Sequence, residues 1–334
     1  MVSAVIFVAT SCVSPLTGFA FWETNLAYEG ESIYNYLQVK NLSDRTILST
    51  NVLFGVQSVT MKDKGLTGMY YDTALAAPAL ADNANSALIL GMGTGTYARQ
   101  LKQYYPKMNI TGVEIDQKIT DLAGEYFDEP ADIPVTTYDG RAWLAASHDK
   151  YDVIMVDAYQ DITIPFQMSS TEFFTMVREH LNPGGVMVAN MNMISDGQGS
   201  INEALSDTIA SVFGNGNTLT ADVPNTTNRE LFAKKPGSGS EENSMQQASK
   251  ALNLRETTYE RTGSEDLEWY MEEVASRFRK VNEPDSASTI LTDDKAPVEV
   301  LGMHAIDQII ADEAGPYRQI LKDEGFGGLL RAVQ

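Results

Sequence analysis

The sequence predicts an α/β protein built on a mostly parallel, doubly wound sheet, with a small β-rich unit ahead of it. Three observations carry that expectation. The segment Ala87-Leu88-Ile89-Leu90-Gly91-Met92-Gly93-Thr94-Gly95-Thr96 runs a short apolar strand into a glycine-spaced turn, and a helix-forming stretch from Tyr97 to Tyr105 follows. Strand and helix patterns then alternate across residues 86–235, as a parallel sheet covered on both faces requires. Finally, the later strand patterns each end on an acid: Glu114, Asp139 and Asp157.

Taken in order, residues 1–22 carry no charged side chain and are mostly apolar, long enough to cross a bilayer. They lack the basic start of a secretory signal and are interrupted by Ser14, Pro15 and Gly18. A membrane anchor, the last span of a larger membrane protein and a buried N-terminal helix all fit, with the membrane readings leading. Residues 23–65 read as a small β-rich domain. One strand is expected through Ile33, Tyr34, Tyr36, Leu37 and Val39, and two more at Thr46-Ile47-Leu48 and Val56-Gln57-Ser58-Val59. A helix from Met69 to Leu80 is expected to open the nucleoside-binding domain, residues 66–235.

Within that domain the second strand covers Asn109 to Glu114, the third Ile133 to Tyr138 and the fourth Tyr151 to Val156. A helix from Ser170 to Leu181, a turn at Asn182-Pro183-Gly184-Gly185 and a fifth strand from Val186 to Asn190 come next. Ile201 to Phe213 reads as a helix, and Thr218 to Val223 with Glu230 to Lys234 as a closing strand pair. Residues 236–262 are expected to be a flexible linker, rich in Gly, Ser, Glu and Gln over 236–250. Residues 263–334 form a C-terminal helical extension, with helices near Glu265–Lys280 and Ala305–Glu313. No internal repeat stands out.

Charge narrows the partners. The chain of 334 residues has a net charge of −21, which repels phosphate backbones and excludes nucleic acid as a principal partner. It would attract cations, polyamines among them, though acidic surfaces more often serve solubility alone. The single cysteine, Cys12, excludes an intramolecular disulfide, and the scattered His148, His180 and His304 give no metal cluster.

The chemistry concentrates at the strand ends. Gly91, Gly93 and Gly95 allow a sharp turn that a ligand can approach closely, in front of unpaired helix N–H groups. Glu114, about 20 residues on, stands where doubly wound folds grip the two hydroxyls of a ribose. Asp139, followed by Gly140, could accept a hydrogen bond from an adenine amino group, and Asp157 closes the same crevice. The competing structural reading makes these acids helix caps around an ordinary turn.

Together these pieces resemble the spermidine synthase (polyamine aminopropyltransferase) family, in particular a bacterial subgroup often fused behind membrane helices. The resemblance spans roughly residues 23–300. It rests on residues 31–39, Gln57, Tyr70-Tyr71-Asp72, the glycine loop, Val113-Glu114-Ile115-Asp116 and Asp139-Gly140. Tyr151-Asp152-Val153-Ile154 with Asp157, Glu172-Phe173-Phe174, Leu181-Asn182-Pro183-Gly184-Gly185 and the Thr292-to-Glu299 segment extend it. It implies a Rossmann-like S-adenosylmethionine-dependent methyltransferase fold, with a mostly parallel seven-stranded sheet behind a small N-terminal β-domain, assembled as a homodimer. The implied reaction is transfer of the aminopropyl group of decarboxylated S-adenosylmethionine to a diamine such as putrescine, without a metal. It implies that Glu114 holds the ribose and Asp139 the adenine, and that the glycine loop, Gly140 and Thr94 complete the cofactor site. Gln57, Tyr70, Asp72, Tyr159 and Asp161 would bind the substrate, and Asp157 would orient the attacking amine and help remove its proton. Asp72 stands where the family has glutamate. A cytoplasmic catalytic domain, membrane-associated through residues 1–22, follows from the same resemblance.

Two departures bear on activity. Thr94 stands where the family has an aspartate that binds the donor's amine; it supplies no charge and would repel a carboxylated donor less. The family's Asp-x-x-Asp loop has Gln160 at its last position here, and the acid falls one residue later, at Asp161. Two alternatives therefore stand beside aminopropyl transfer. One is an S-adenosylmethionine-dependent small-molecule methyltransferase, and the other a catalytically inactive nucleoside- or polyamine-binding relative. Of the remaining residues, Asp116 is expected to cap the next helix, Tyr71, Trp143 and Tyr159 to wall the pocket or pack, and His148 to lie on a surface turn. Asp293 and Asp294 are expected to be structural or lid-forming, and Phe166-Gln167-Met168 to belong to a closing loop.

Overall fold

The computed structural model of the chain describes residues 23–51, 56–63, 65–128, 130–158, 164–192, 199–237, 253–286, 288–304 and 322. The expectations for residues 1–22, Tyr159, Asp161 and a helix at 305–313 lie outside these. Among the described residues no helix is long and apolar enough to cross a membrane.

Four antiparallel strands, β1 (Leu26–Glu31), β2 (Tyr36–Asn41), β3 (Arg45–Thr50) and β4 (Ser58–Met61), make the N-terminal sheet in that spatial order. The single strand expected through residues 33–39 is instead a turn followed by β2. The Ser32 hydroxyl accepts the N–H groups of Tyr34 and Asn35, the Ser32 N–H bonds back to the Asn35 carbonyl, and Ile33 is 91% exposed. A serine that satisfies the backbone two and three residues ahead favours a turn over continued pairing. Leu37, Val39 and Leu48 pack on Ile119, Leu122 and Phe127 of the main body. Each fully buried aliphatic contributes about 1.5–3 kcal/mol, enough to fix this sheet firmly beside the main body.

The helix expected at 69–80 divides into α1 (Tyr70–Ala74) and α2 (Ala76–Leu80). Pro78 has no N–H for the Ala74 carbonyl, so the helix cannot continue unbroken. Strand β5 (Ser86–Leu90), helix α3 (Thr96–Tyr104), β6 (Asn109–Glu114), α4 (Gln117–Tyr126), the short β7 (Val135–Thr137), α5 (Gly140–Ala146) and β8 (Tyr151–Val156) follow the expected alternation. Then come α6 (Thr171–His180), β9 (Leu181–Asn192), α7 (Ile201–Phe213), β10 (Thr218–Asp222) and β11 (Asn228–Lys234). The turn expected at 182–185 is absorbed into the start of β9. There the register against β8 jumps from Tyr151↔Leu181 to Val153↔Val186, and Gly184 bonds to Lys235 and Asp82 instead.

The main sheet, edged by β12 (Arg279–Lys280), runs β12-β10-β11-β9-β8-β5-β6-β7; β7, β6, β5, β8 and β9 are parallel, β11 pairs antiparallel with both β9 and β10, and β12 pairs antiparallel with β10. Seven strands are as expected; β12 adds a two-residue edge. Residues 254–262, expected within the linker, form helix α8 (Leu254–Thr262), which buries Leu254 and Thr258. Helix α9 (Glu265–Arg277) follows. Strand order reverses between β5 and β8, and in such sheets the crevice at the carboxyl ends beside that reversal takes the ligand.

Candidate active site

A cavity of about 320 Å³ lies at that reversal, and Glu114, Asp139 and Asp157 all line it. Its floor is the turn after β5. Gly91 has φ +88°, and a Cβ there would fall 2.3 Å from the Asp157 carbonyl oxygen, so only glycine lets the β5 and β8 ends come this close. Gly91, Gly93 and Gly140 line the cavity. Gly95, with φ +77°, caps helix α3 instead, and Thr94 is fully buried behind the turn with a hydroxyl that has no partner among the described residues. Neither Thr94 nor Gly95, both expected in the cofactor site, is among the residues that line the cavity. The turn spends one residue on each face, and Thr94 faces the protein.

Glu114 ends β6 and is almost wholly buried. Its Oε2 accepts the Gly93 N–H at 2.8 Å and its Oε1 the Asp116 N–H at 3.0 Å. Burial pushes its pKa up against those two bonds. Each oxygen keeps a lone pair, the arrangement that two vicinal hydroxyls require. Asp139 caps α5 by accepting the Ala142 N–H at 2.7 Å through Oδ1, so it is both a cap and a cavity wall. Asp116 caps α4 and accepts Ser32 Oγ at 2.5 Å and Asn35 Nδ2 at 3.0 Å, tying the N-terminal sheet to the crevice.

Asp157 follows β8. Tyr70 donates to its Oδ2 at 2.6 Å and Asn190 to its Oδ1 at 2.9 Å. Burial pushes its pKa up to about 7; the two hydrogen bonds pull it down and the Glu114 charge adds to the rise. Asn190 Oδ1 in turn accepts Asn228 Nδ2 at 2.9 Å. Tyr70 stacks on Tyr71 with ring centroids 4.0 Å apart, and the Tyr71 hydroxyl donates to the Gln57 carbonyl at 2.8 Å. Gln57, Tyr70 and Tyr71 thus line one wall. Asn190 carried no role in the sequence reading. Its place at the end of the fifth strand, one strand over from Asp157, was the available signal.

Asp72, expected to bind substrate, is fully buried and is not among the residues that line the cavity. Its carboxylate accepts Thr67 N at 2.9 Å, Thr67 Oγ1 at 2.8 Å, Gly68 N at 2.7 Å and Gln100 Nε2 at 2.5 Å. It pins a loop to α3. Pro165, Gln167 and Met168 close the cavity opposite the glycine turn. Arg141 holds that segment, bonding to the Gln167 carbonyl at 2.7 Å and to both oxygens of Asp293 at 2.7 and 2.6 Å, so Asp293 is structural. His148 is exposed and Trp143 packs on the core. No Lys, Arg or His occurs among the described lining residues. Among the described residues no group of three or more His, Cys, Asp or Glu could hold a metal ion.

Comparison with known proteins bears on the family and the fold. Residues 69–235 match the model of the spermine/spermidine synthase domain. The whole chain is 99% identical to a probable polyamine aminopropyl transferase of Bifidobacterium longum, spanning 75% of that protein's length. It is 28% identical over 209 residues to a polyamine aminopropyltransferase of Vibrio vulnificus, covering 60% of this chain and 69% of that one. A probable spermidine synthase from Corynebacterium glutamicum has a similar fold, with TM-score 0.56 at 22% identity over 80% of this chain and 99% of that one. A spermidine synthase in complex with the transition-state analogue AdoDATO is also similar in fold, with TM-score 0.55 at 17% identity over 75% of this chain and 88% of that one.

Proposed function

This chain belongs to the spermine/spermidine synthase family, and from that premise we propose that it transfers the aminopropyl group of decarboxylated S-adenosylmethionine to a diamine such as putrescine. One observation carries the substrate assignment: the described cavity wall holds three carboxyls and no cationic side chain. A sulfonium donor with a free ammonium and a diamine are both cations, and each finds a counter-charge there. The carboxylate of S-adenosylmethionine itself would meet only acids, which disfavours methyl transfer.

Glu114 holds the ribose hydroxyls on its free lone pairs, and Asp139 accepts from the adenine amino group through the oxygen not engaged with Ala142. Gly91, Gly93 and Gly140 let the nucleoside lie against the backbone. Gln57 and Tyr70 border the reacting end, and Tyr159 and Asp161 join them on sequence position alone. An alkylammonium has a pKa of about 10.4 and cannot attack until it loses a proton. Ionised Asp157 takes that proton, leaving a neutral amine and a protonated carboxyl. The amine nitrogen then bonds to the methylene beside the sulfonium, the carbon–sulfur bond breaks, and the pair of electrons leaves on a neutral thioether. Asp157 returns its proton to water. Much of the acceleration comes from holding the two reactants in line.

The likeness to membrane-fused relatives and the uncharged residues 1–22 support association with a membrane, the catalytic domain facing the cytoplasm, and the family likeness supports a homodimer. The defining test is product analysis with putrescine and each donor. Spermidine with release of methylthioadenosine supports the reading; turnover of the carboxylated donor alone overturns it. Light scattering of the purified chain reads the dimer, and flotation with vesicles reads the membrane association.

A further inference from the structure

Among the described residues, one buried acid outside the mechanism has no hydrogen-bond partner. Glu230 on β11 is 0% exposed, and neither carboxyl oxygen has a hydrogen-bond partner among the described residues. It stands directly across from Asn190 in the antiparallel β11–β9 register. Directly opposed residues share a sheet face, so Glu230, Asn190 and the Asp157 that Asn190 grips at 2.9 Å form a row across three strand ends. The same face carries Phe232 and is covered by the tyrosines of α1 and α3.

An unpartnered carboxylate in such a place is too costly to keep ionised. Burial pushes the Glu230 pKa well up, and the Asp157 charge pushes it further. Among the described residues, the groups around it leave no other partner. From α1 come Tyr70 and Tyr71, and Asp72 is engaged with Thr67, Gly68 and Gln100. Tyr97 of α3 donates to the Ala74 carbonyl, and β10 presents Ala221 opposite. Along β11, Lys234 is bound to Asp82 and Arg229 to Asp222, and α7 with Glu203 and Asp207 packs on the other face of the sheet.

We propose that Glu230 is a reserve counter-charge of the amine site, a positioning residue that carries its proton while the pocket is empty and releases it when the cationic substrates bind. This rests on the aminopropyl-transfer reading. The Oε–H bond breaks, the proton passes to water, and the carboxylate left behind acts through Asn190 and Asp157 on the bound cations. The device avoids a naked charge in the empty core and yet supplies a second negative charge when a sulfonium and an ammonium arrive together. Two carboxyls that share one low-dielectric row titrate as a pair, so the second proton leaves only when added positive charge compensates it.

The test counts protons. Putrescine is titrated calorimetrically into the full chain saturated with methylthioadenosine, in buffers of differing ionisation enthalpy, at pH 8.5, where Asp157 is already ionised. The wild type is expected to release more protons per bound putrescine than Glu230→Gln. The variant's KM for putrescine should rise about tenfold, the equivalent of one pKa unit of lost interaction, with a smaller fall in kcat. Glu230→Met, which fills the same space without an acid, should match the Gln variant and serves if that one fails to fold. Equal proton counts in the wild type and either variant, or an unchanged KM, overturn the proposal. Transfer assays with the two donors read the underlying activity separately: methyl in place of aminopropyl transfer would refute that activity and leave the proton count standing.

Discussion

The Tyr70 hydroxyl donates a 2.6 Å hydrogen bond to Asp157 Oδ2, joining a short helix ahead of the sheet to the carboxyl end of its central strand, 87 residues later. The bond pulls the Asp157 pKa down against the burial that pushes it up. Tyr70→Phe removes the donor and leaves the ring. A hydrogen bond to a charged group is worth about 1.5–3 kcal/mol, so kcat/KM should fall roughly 10- to 100-fold. The acidic limb of its pH profile should move to higher pH, which steady-state kinetics across pH would read. A limb that stays in place would refute the coupling.

Asp157 titrates near 7, and its ionised form accepts the proton, so activity should rise as pH climbs through that value and be lost below it. Stability runs the other way. The folded-state pKa lies above the unfolded one of about 3.9, so the empty protein is favoured at low pH and loses that contribution as pH rises from about 4 through about 7. Asp157→Asn should cost about 10²- to 10⁴-fold in kcat and flatten that part of the stability curve, read by thermal melts at several pH values.

Glu114→Gln would turn an amide NH₂ toward the N–H of Gly93 or Asp116, replacing an acceptor with a donor. The KM for the nucleoside donor should rise about 10- to 100-fold, with a smaller change in the KM for putrescine. Varying each substrate separately checks this. Equal effects on both would place Glu114 outside the donor site.

Asp72→Asn should weaken the fold and spare the chemistry. It breaks part of a fully buried set of four acceptor contacts, at a cost of about 1–3 kcal/mol for each group left unsatisfied. A lowered melting temperature with KM values unchanged in the residual folded enzyme is the expected outcome. A selective rise in the putrescine KM would restore Asp72 to the substrate site.

Thr94→Val removes a buried hydroxyl that has no partner among the described residues and keeps the shape. Stability should hold or improve, and donor KM should stay within about twofold, since no hydrogen bond is lost. Calorimetric melting and donor kinetics decide it; a large loss of donor affinity would show that the Thr94 hydroxyl turns into the pocket.

Periodicity and strand-end position made much of this protein readable in one dimension. The alternation over 86–235, the glycine turn and the acids at 114, 139 and 157 are local signals, because a parallel strand must end where a helix begins and exposes its last residue at one edge of the sheet. Asp116 as a cap was equally local, a carboxylate two residues before the N–H it accepts. Which neighbouring residue lines the cavity was decided only in three dimensions. Asp72 and Thr94 sit beside pocket residues in sequence yet point into the protein, because a helix or a tight turn sends adjacent side chains to opposite sides. The Asn190 and Glu230 positions beside Asp157 are a matter of strand order: β11, β9 and β8 are spatial neighbours although 33 residues separate Asn190 from Asp157. Burial set the remainder, since desolvation raises the Asp157 and Glu230 pKa values only once the sheet is covered.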